Sequence, residues 1–344
     1  MNEFNQYMQH CLKLAAKGLG NVAPNPMVGC AIVHNNVIIG EGYHQKYGEA
    51  HAEVNAIASV INKNLLSEST VYVNLEPCSH QGKTPPCSDL LIKHKVKRVV
   101  IACLDTNPLV AGKGIAKLRN AGIEVVTGIL EKEARELNKR FFTYHEKKRP
   151  YIILKWAQTK DGFISKLPPF IREENWITNN ESKKLVHTWR AQEQAILVGT
   201  TTALLDNPAL TVRLTEGKSP IRILIDRELK VPSINPIFSD VAEVIVFTEK
   251  KEVSVNNITY HQIDFEKDIV PQILNYLYEK NISSLIVEGG THTLQSFIDK
   301  NLWDEARVFT GNKYFQSGIK APLINSSKST SQIIRDDELT IFTR

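Results

Sequence analysis

Two series of short β-branched runs, each alternating with segments of helical spacing, constrain this chain more than any other feature. In the first series, "VGCAIVHNNVIIGEGYH" (28–44) reads as a hairpin turning at Asn35-Asn36. "STVYVNLEPC" (69–78), "VKRVVIAC" (96–103) and "IEVVTG" (123–128) read as strands. "HAEVNAIASVI" (51–61), "CSDLLIKHK" (87–95) and "GIAKLRNAG" (114–122) read as helices, the last with Gly122 at its C-terminal end. The first 20 residues also have helical spacing, through Phe4, Met8, Leu12, Ala15 and Ala16. The series ends in a charged stretch closed by a proline, "HEKKRP" (145–150), which makes a plausible boundary. It restarts with "YIILKWAQTKDG", "AILVG", "IRILID", "EVIVFT" and "SLIVEGG" as strands. "NESKKLVHTWRAQ", "VPQILNYLYE" and "THTLQSFIDK" lie between them as helices. Strands that alternate with helices must pack as a sheet covered by helices, which predicts two α/β domains, 1–146 and 150–344. A chain of 344 residues is long for one domain, in agreement with that division.

Composition narrows the class. Hydrophobic content of 42% with 23% charged residues is that of an ordered globular protein. No run of about 18 apolar residues offers a membrane span, and "MNEFNQYMQHCLKLAAKG" lacks the order of a signal peptide. Five cysteines, an odd number and thinly spread, suit a reducing compartment, so the cytoplasm is expected. The formal net charge of +5 gathers partly in "KHKVKR" (93–98) and "HEKKRP". Neither run is interleaved with aromatics as a nucleic-acid track would be, and a solvated surface accounts for both.

"PCSHQGKTPPC" (77–87) sets two cysteines around a histidine and a lysine, with eight residues between them. His51 and Glu53 open the second helix. Singly, each has an ordinary reading: a lone histidine is most often structural, and lone cysteines are most often core. Together, His51, Cys78 and Cys87 make a three-ligand set with an open fourth position, the pattern of a catalytic zinc site. Water in that position would ionise near neutral pH, and Glu53, not a ligand, would shuttle protons to the leaving nitrogen.

This arrangement resembles the zinc-dependent nucleobase deaminases, whose signature is His-x-Glu followed by Pro-Cys and a second cysteine. The generic family has two residues between its cysteines, and the extension "SHQGKTPP" looks like the pyrimidine deaminase half of the bifunctional riboflavin-biosynthesis enzymes. "APNPMVG" (23–29), "GYHQKYGEAHAE" (42–53) and "AGKG" (111–114) match as well. The resemblance implies a cytidine-deaminase-like α/β/α domain with a mixed sheet. It implies that His80 and Lys83 reach out to a phosphorylated substrate, and that Asn25 and His44 orient the pyrimidine ring. Thr106 in "LDTNP" replaces the family's usual proline, a change of loop stiffness rather than charge.

No Gly-x-Gly-x-x-Gly follows a strand in the second half, so a dinucleotide site cannot rest on that motif. "GTTTALLDNPALTVR" (199–213) and "VEGG" (287–290) are better evidence, because glycine after a strand lets backbone approach a ligand. Two ordinary turns would look the same. With "KWAQTKDG", "NWIT" and "RILIDR", these pieces resemble the reductase domain of the same pathway, similar in fold to dihydrofolate reductase. The resemblance implies NADPH against Ala157, Trp176, Thr202, Asp206, Gly289 and Gly290. It implies a sugar-phosphate substrate against Glu174, Arg190, Leu210, Arg213 and Glu288. Lys160, Glu174, Gln194 and Thr310 depart from the family's usual residues.

The expectation is a bifunctional enzyme that hydrolytically deaminates 2,5-diamino-6-(5-phosphoribosylamino)pyrimidin-4(3H)-one. It then reduces the ribosyl chain with NADPH to give 5-amino-6-(5-phosphoribitylamino)uracil. The alternatives are a deaminase with a non-catalytic C-terminal domain, and a cytidine or adenosine deaminase acting on nucleic acid. The resemblance also implies a homo-oligomer with small phosphorylated pyrimidines as partners, and neither nucleic acid nor membrane.

Overall fold

The computed structural model describes residues 3–79, 85–107, 110–168, 175–326 and 328–344. The chain divides into two compact units, Met1–Lys148 and Arg149–Arg344. His80, Lys83 and Glu174 lie outside the described residues.

In the first unit, α1 (Glu3–Ala16) leads into β1 (Gly29–His34) and β2 (Val37–Tyr43). Asn35 and Asn36 both have positive φ, 47° and 63°, as a two-residue hairpin turn of the right twist requires. α2 (Ala52–Ser59), β3 (Thr70–Leu75), α3 (Cys87–Lys93), β4 (Arg98–Cys103), α4 (Lys113–Asn120) and β5 (Glu124–Thr127) follow. α5 (Glu131–Leu137) and α6 (Lys139–Lys147) close the unit. The first helix is shorter than the 20 residues read from the sequence: it stops at Ala16, the last of the spaced apolar residues, and Gly20 beyond it sits at φ 84°. Residues 145–147 of the charged stretch are the last turn of α6, whose Phe141 and Phe142 are buried.

Among the described residues the sheet has five strands in the order β2-β1-β3-β4-β5. The hairpin and the β1–β3 pair are antiparallel, and β3–β4–β5 are parallel. Alternation along β3 and β4 divides the core. Val71, Val73, Val99 and Ile101 face α2, α3 and α4, whereas Tyr72, Val100 and Ala102 face α1, α5 and α6, and Leu75 at the end of β3 breaks the alternation to join the second group. Both faces are covered, so β3 and β4 read as continuous apolar runs.

The second unit begins with β6 (Tyr151–Thr159) and β7 (Phe163–Ser165). It continues through α7 (Asn180–Gln192), β8 (Ala195–Gly199), α8 (Thr200–Leu205), β9 (Ile221–Ile225), β10 (Val244–Thr248) and β11 (Ile258–Gln262). Then come α9 (Ile269–Glu279), β12 (Ser284–Gly289), α10 (Thr291–Asp299), β13 (Glu305–Gly311), β14 (Ile319–Lys320), β15 (Ser329–Ile334) and β16 (Asp337–Thr343). The main sheet runs β11-β10-β9-β8-β12-β6-β13-β16-β15, parallel from β11 to β13 and antiparallel through β16 and β15. α9 and α10 pack on one face, and α7 and α8 on the other. No helix among the described residues is long and apolar enough to cross a membrane.

Close approach of backbone to backbone sets α2 on the hairpin. A Cβ at Gly42 would lie 2.5 Å from the Ala56 nitrogen, and one at Gly40 2.7 Å from the Ala56 carbonyl oxygen. Gly42→Ala must therefore push α2 off the sheet. It is expected to lower the stability of the first unit by about 1–3 kcal/mol, the usual cost of overpacking, read by urea denaturation.

Candidate functional site

The first site lies where the parallel strands β3 and β4 end and α2 begins. His51 is the N-cap of α2, in extended backbone, which puts its ring beyond the helix end. Its Nδ1 is 3.6 Å from the Cys78 Sγ and 3.3 Å from the Cys87 Sγ. The three donor atoms lie within 4.8 Å of one another, and the described residues hold no other His/Cys/Asp/Glu cluster of this kind. Cys87 starts α3, and its backbone N–H donates to the Cys78 sulfur at 3.3 Å.

Charge in the cluster is uneven. Hydrogen bonding from the Cys87 thiol, with further help from His51 and the Cys87 N–H, brings Cys78 down to about 4. Cys87 is raised by that same contact with Cys78 and by burial. His51 is raised by its hydrogen bond to Cys78. One thiolate beside an imidazole is a donor set that a borderline-soft divalent cation fits.

Glu53 is buried in the first turn of α2. Burial, reinforced by the Cys78 charge, pushes its carboxyl from 4.5 to about 7. His44 is buried too: its Nδ1 donates to the Ala50 carbonyl at 3.0 Å, which leaves Nε2 to accept from the Asn25 amide at 3.1 Å. Its ring stands 5.5 Å from that of His51, edge to face. Asn25, His44, His51, Glu53, Cys78 and Cys87 are thus one constellation.

Several residues that build this site carried no signal in the sequence reading. Asn138 accepts from the Met27 N–H at 2.8 Å and donates to the Met27 carbonyl at 2.9 Å. Asn74 donates to that carbonyl at 3.0 Å and accepts from Gly29 at 2.8 Å. Both amides are buried, and they hold the loop that presents Asn25. Glu76 and Asp105, both buried, stand at the ends of β3 and β4.

The second unit holds a cleft of about 960 Å³ at the carboxyl ends of β6, β8, β9 and β12, where open α/β sheets place their ligands. Arg190, Leu210, Arg213 and Glu288 line it, as do Ala157, Trp176, Thr202, Asp206 and Gly290. Gly289 is buried in β12 and does not line it, and neither do Lys160, Gln194 and Thr310. Gln194 instead accepts from the Ser283 N–H at 2.6 Å, tying the starts of β8 and β12. Gly290 and Thr291, at the start of α10, border the cleft with the unpaired N–H end of that helix.

Glu288 is the electrostatic centre of the cleft. Arg190 donates to it through Nε at 3.3 Å and Nη2 at 2.9 Å, and the Lys155 amine stands at 3.5 Å. Burial alone would raise this carboxyl, but Arg190 and Lys155 reverse the effect and hold it at about 2. Lys155, missed in the sequence because it sits within an apolar strand, is lowered by burial. His187 accepts from the Arg213 N–H at 3.0 Å; burial and the two arginines lower it to about 4. Leu210, at φ 55°, is buried and lines the cleft.

A mixed sheet with an imidazole–dithiol cluster is followed by a second, mostly parallel sheet with a charged cleft, the frame of a two-domain α/β protein with one candidate site in each domain. Residues 1–103 match the cytidine and deoxycytidylate deaminase zinc-binding region, and residues 150–317 match the RibD C-terminal domain. A riboflavin biosynthesis protein RibD from Aquifex aeolicus is 46% identical over 318 residues, covering 91% of this chain and 88% of its own. The RibD of Escherichia coli is 38% identical over 330 residues, covering 90% and 88%. The crystal structure of a diaminohydroxyphosphoribosylaminopyrimidine deaminase/5-amino-6-(5-phosphoribosylamino)uracil reductase from Thermotoga maritima superposes with a TM-score of 0.89. It is 39% identical and covers 99% of this chain and 98% of its own. The chain belongs to the RibD family of bifunctional riboflavin-biosynthesis enzymes, a deaminase joined to a reductase.

Two outcomes follow from the charges. The folded protein holds the Glu53 proton up to about pH 7 and the unfolded chain only to 4.5. This contribution is therefore complete at low pH and is lost as pH rises through that interval. Metal-free Glu53→Gln should gain stability over the parent between about pH 5 and pH 8, by up to about 3 kcal/mol, in urea titrations of the first unit. Glu288→Ala, which leaves two half-buried cations facing the cleft without their carboxylate, should destabilise the second unit by about 1–3 kcal/mol, read in the same way.

Proposed function

We propose that His51, Cys78 and Cys87 hold a zinc ion, that Glu53 moves protons beside it, and that the cleft of the second unit binds NADPH with a ribosyl phosphate. The substrate of the first site would be 2,5-diamino-6-(5-phosphoribosylamino)pyrimidin-4(3H)-one, and the final product 5-amino-6-(5-phosphoribitylamino)uracil. The observation that carries this reading is the separation of roles at the start of α2. Three soft or borderline donors converge within 4.8 Å, while a buried carboxyl two residues along stays outside the set.

Zinc supplies Lewis acidity, which polarises water for attack on an amino-bearing ring carbon. Glu53, beside the metal ligands and not one of them, would take a proton from the attacking water and return it to the departing nitrogen. The His44–Asn25 pair presents fixed polar atoms beside the metal ligands, suited to a flat heterocycle. Water replaces the amino group, and ammonia leaves.

In the second unit the nicotinamide supplies the hydride. Arg190 and Arg213 offer guanidinium groups for an anionic substrate. Lys155, a half-buried amine 3.5 Å from Glu288, is our candidate for the group that would give the ring oxygen its proton when the sugar opens. Glu288 keeps both neighbouring cations oriented. The two steps together consume one water and one reduced cofactor.

Zinc-loaded protein, the diaminopyrimidine substrate and NADPH should yield a product heavier by about 3 Da. Deamination contributes roughly 1 Da of this and reduction roughly 2 Da, weighed by mass spectrometry. Glu53→Gln should lose deamination by about 10²–10⁴-fold, yet still bind zinc and reduce substrate that is already deaminated. A shift of about 1 Da from the parent protein would instead favour a non-catalytic second unit.

A further inference from the structure

We propose that Glu76 is a positioning residue for the metal cluster, fixing Cys78 by anchoring the start of α4 to the end of β3. The inference rests on reading His51, Cys78 and Cys87 as zinc ligands. Glu76 is 3% exposed and lies between the last residue of β3 and the Pro77–Cys78 segment. Its Oε1 accepts from the backbone N–H groups of Gly114 at 2.9 Å and Ile115 at 3.2 Å. Its Oε2 accepts from Gly112 at 2.9 Å and Asp105 at 3.3 Å. Its own N–H donates to the Cys103 carbonyl at 3.0 Å.

These contacts satisfy needs on both sides. The first turn of a helix has N–H groups without partners and a partial positive charge. A buried carboxylate is costly unless such donors meet it. One side chain thereby joins the end of β4, the loop beyond it and the start of α4. Shape reinforces charge: a Cβ at Gly114 would lie only 2.1 Å from the Pro77 carbonyl oxygen, so the peptide that leads into Cys78 rests directly on α4. On its other side Cys78 is held by α3, whose Cys87 and Ser88 N–H groups donate to the Cys78 sulfur and carbonyl at 3.3 and 3.1 Å. Cys78 is thus clamped between two helix starts, and Glu76 is the polar part of the α4 clamp.

Glu76→Gln keeps the shape but turns an NH₂ group toward two of the four N–H donors. Gly114→Ala disturbs the same contact from the helix side, pressing on the Pro77 carbonyl at 2.1 Å and more loosely on the Glu76 Oε1 at 3.2 Å, and keeps the carboxylate itself. Zinc affinity would be measured by chelator competition on the full-length parent, both variants and Cys78→Ser, with thermal melting of each. Cobalt(II) spectra would report ligand geometry, and reduction of deaminated substrate would report an intact second unit. The expected result is a zinc affinity weaker by about 10–100-fold in both variants, the usual effect of losing an outer partner of a ligand. Altered cobalt bands and unchanged reduction should accompany it. Parent-like affinity and cobalt spectra in folded Glu76→Gln would overturn the proposal. If that variant does not fold, parent-like values in Gly114→Ala would do so. Zinc binding absent from the parent, or unaffected by Cys78→Ser, would sink the zinc reading itself and this inference with it.

Discussion

Parallel strand pairing is the constraint on which both halves of this molecule depend. Parallel neighbours need a crossover, which here contains a helix between β3 and β4, between β4 and β5 and between β8 and β9, so each sheet gathers strand carboxyl ends and helix amino ends along one edge. Strand ends supply side chains that are no longer committed to the core, and helix starts supply N–H groups without partners. Cys78 and Cys87 owe their meeting to this edge: one follows β3, the other opens α3. In the second unit Glu288 near the end of β12 and Gly290 at the start of α10 stand in the same relation.

Burial acts on the two central carboxyls in opposite senses, and their neighbours decide the outcome. Glu53 lies beside a thiolate and is pushed to about 7, where a group can both take and give a proton. Glu288 is largely enclosed at the cleft wall, yet Arg190 and Lys155 hold it at about 2, where it can only orient and accept. One carboxyl is thereby suited to proton transfer and the other to holding cations in place. His51, Cys78 and Cys87 are also displaced from their ordinary pKa values, because hydrogen bonds among them favour one thiolate beside a protonated imidazole and a neutral thiol. A cation bound there would replace those protons.

Several glycines that had value in the sequence only as matches to a family acquire a physical reason in the fold. Gly114 of "AGKG" lets α4 touch the Pro77 carbonyl, and Gly42 of "GYHQKYGEAHAE" lets α2 lie on the hairpin. The cis-proline segment "APNPMVG" is held by two buried amides, Asn74 and Asn138, that come from 45 and more residues away. Such partners have no spacing rule, so no local pattern could have announced them. Lys155 was hidden for a related reason, as a charged residue inside an otherwise apolar strand.

Local patterns, by contrast, carried the secondary structure well. The hairpin at Asn35-Asn36, the strand runs and the helix over residues 180–192 were legible because periodicity and turn chemistry are properties of neighbouring residues. β13, β15 and β16 escaped that reading, and so did α5 and α6. The clustering of His51, Cys78 and Cys87 was legible as well, since His-x-Glu and the two cysteines are a donor pattern written in residue type and order. Sequence by itself therefore determined the two α/β series, the donor set and the family. Tertiary structure alone decided which carboxyl is near 7 and which near 2, how the Asn25 loop is held, and that Cys78 is clamped between two helix starts. Those outcomes depend on burial and on charges brought together from distant strands, which exist only once the sheets have formed.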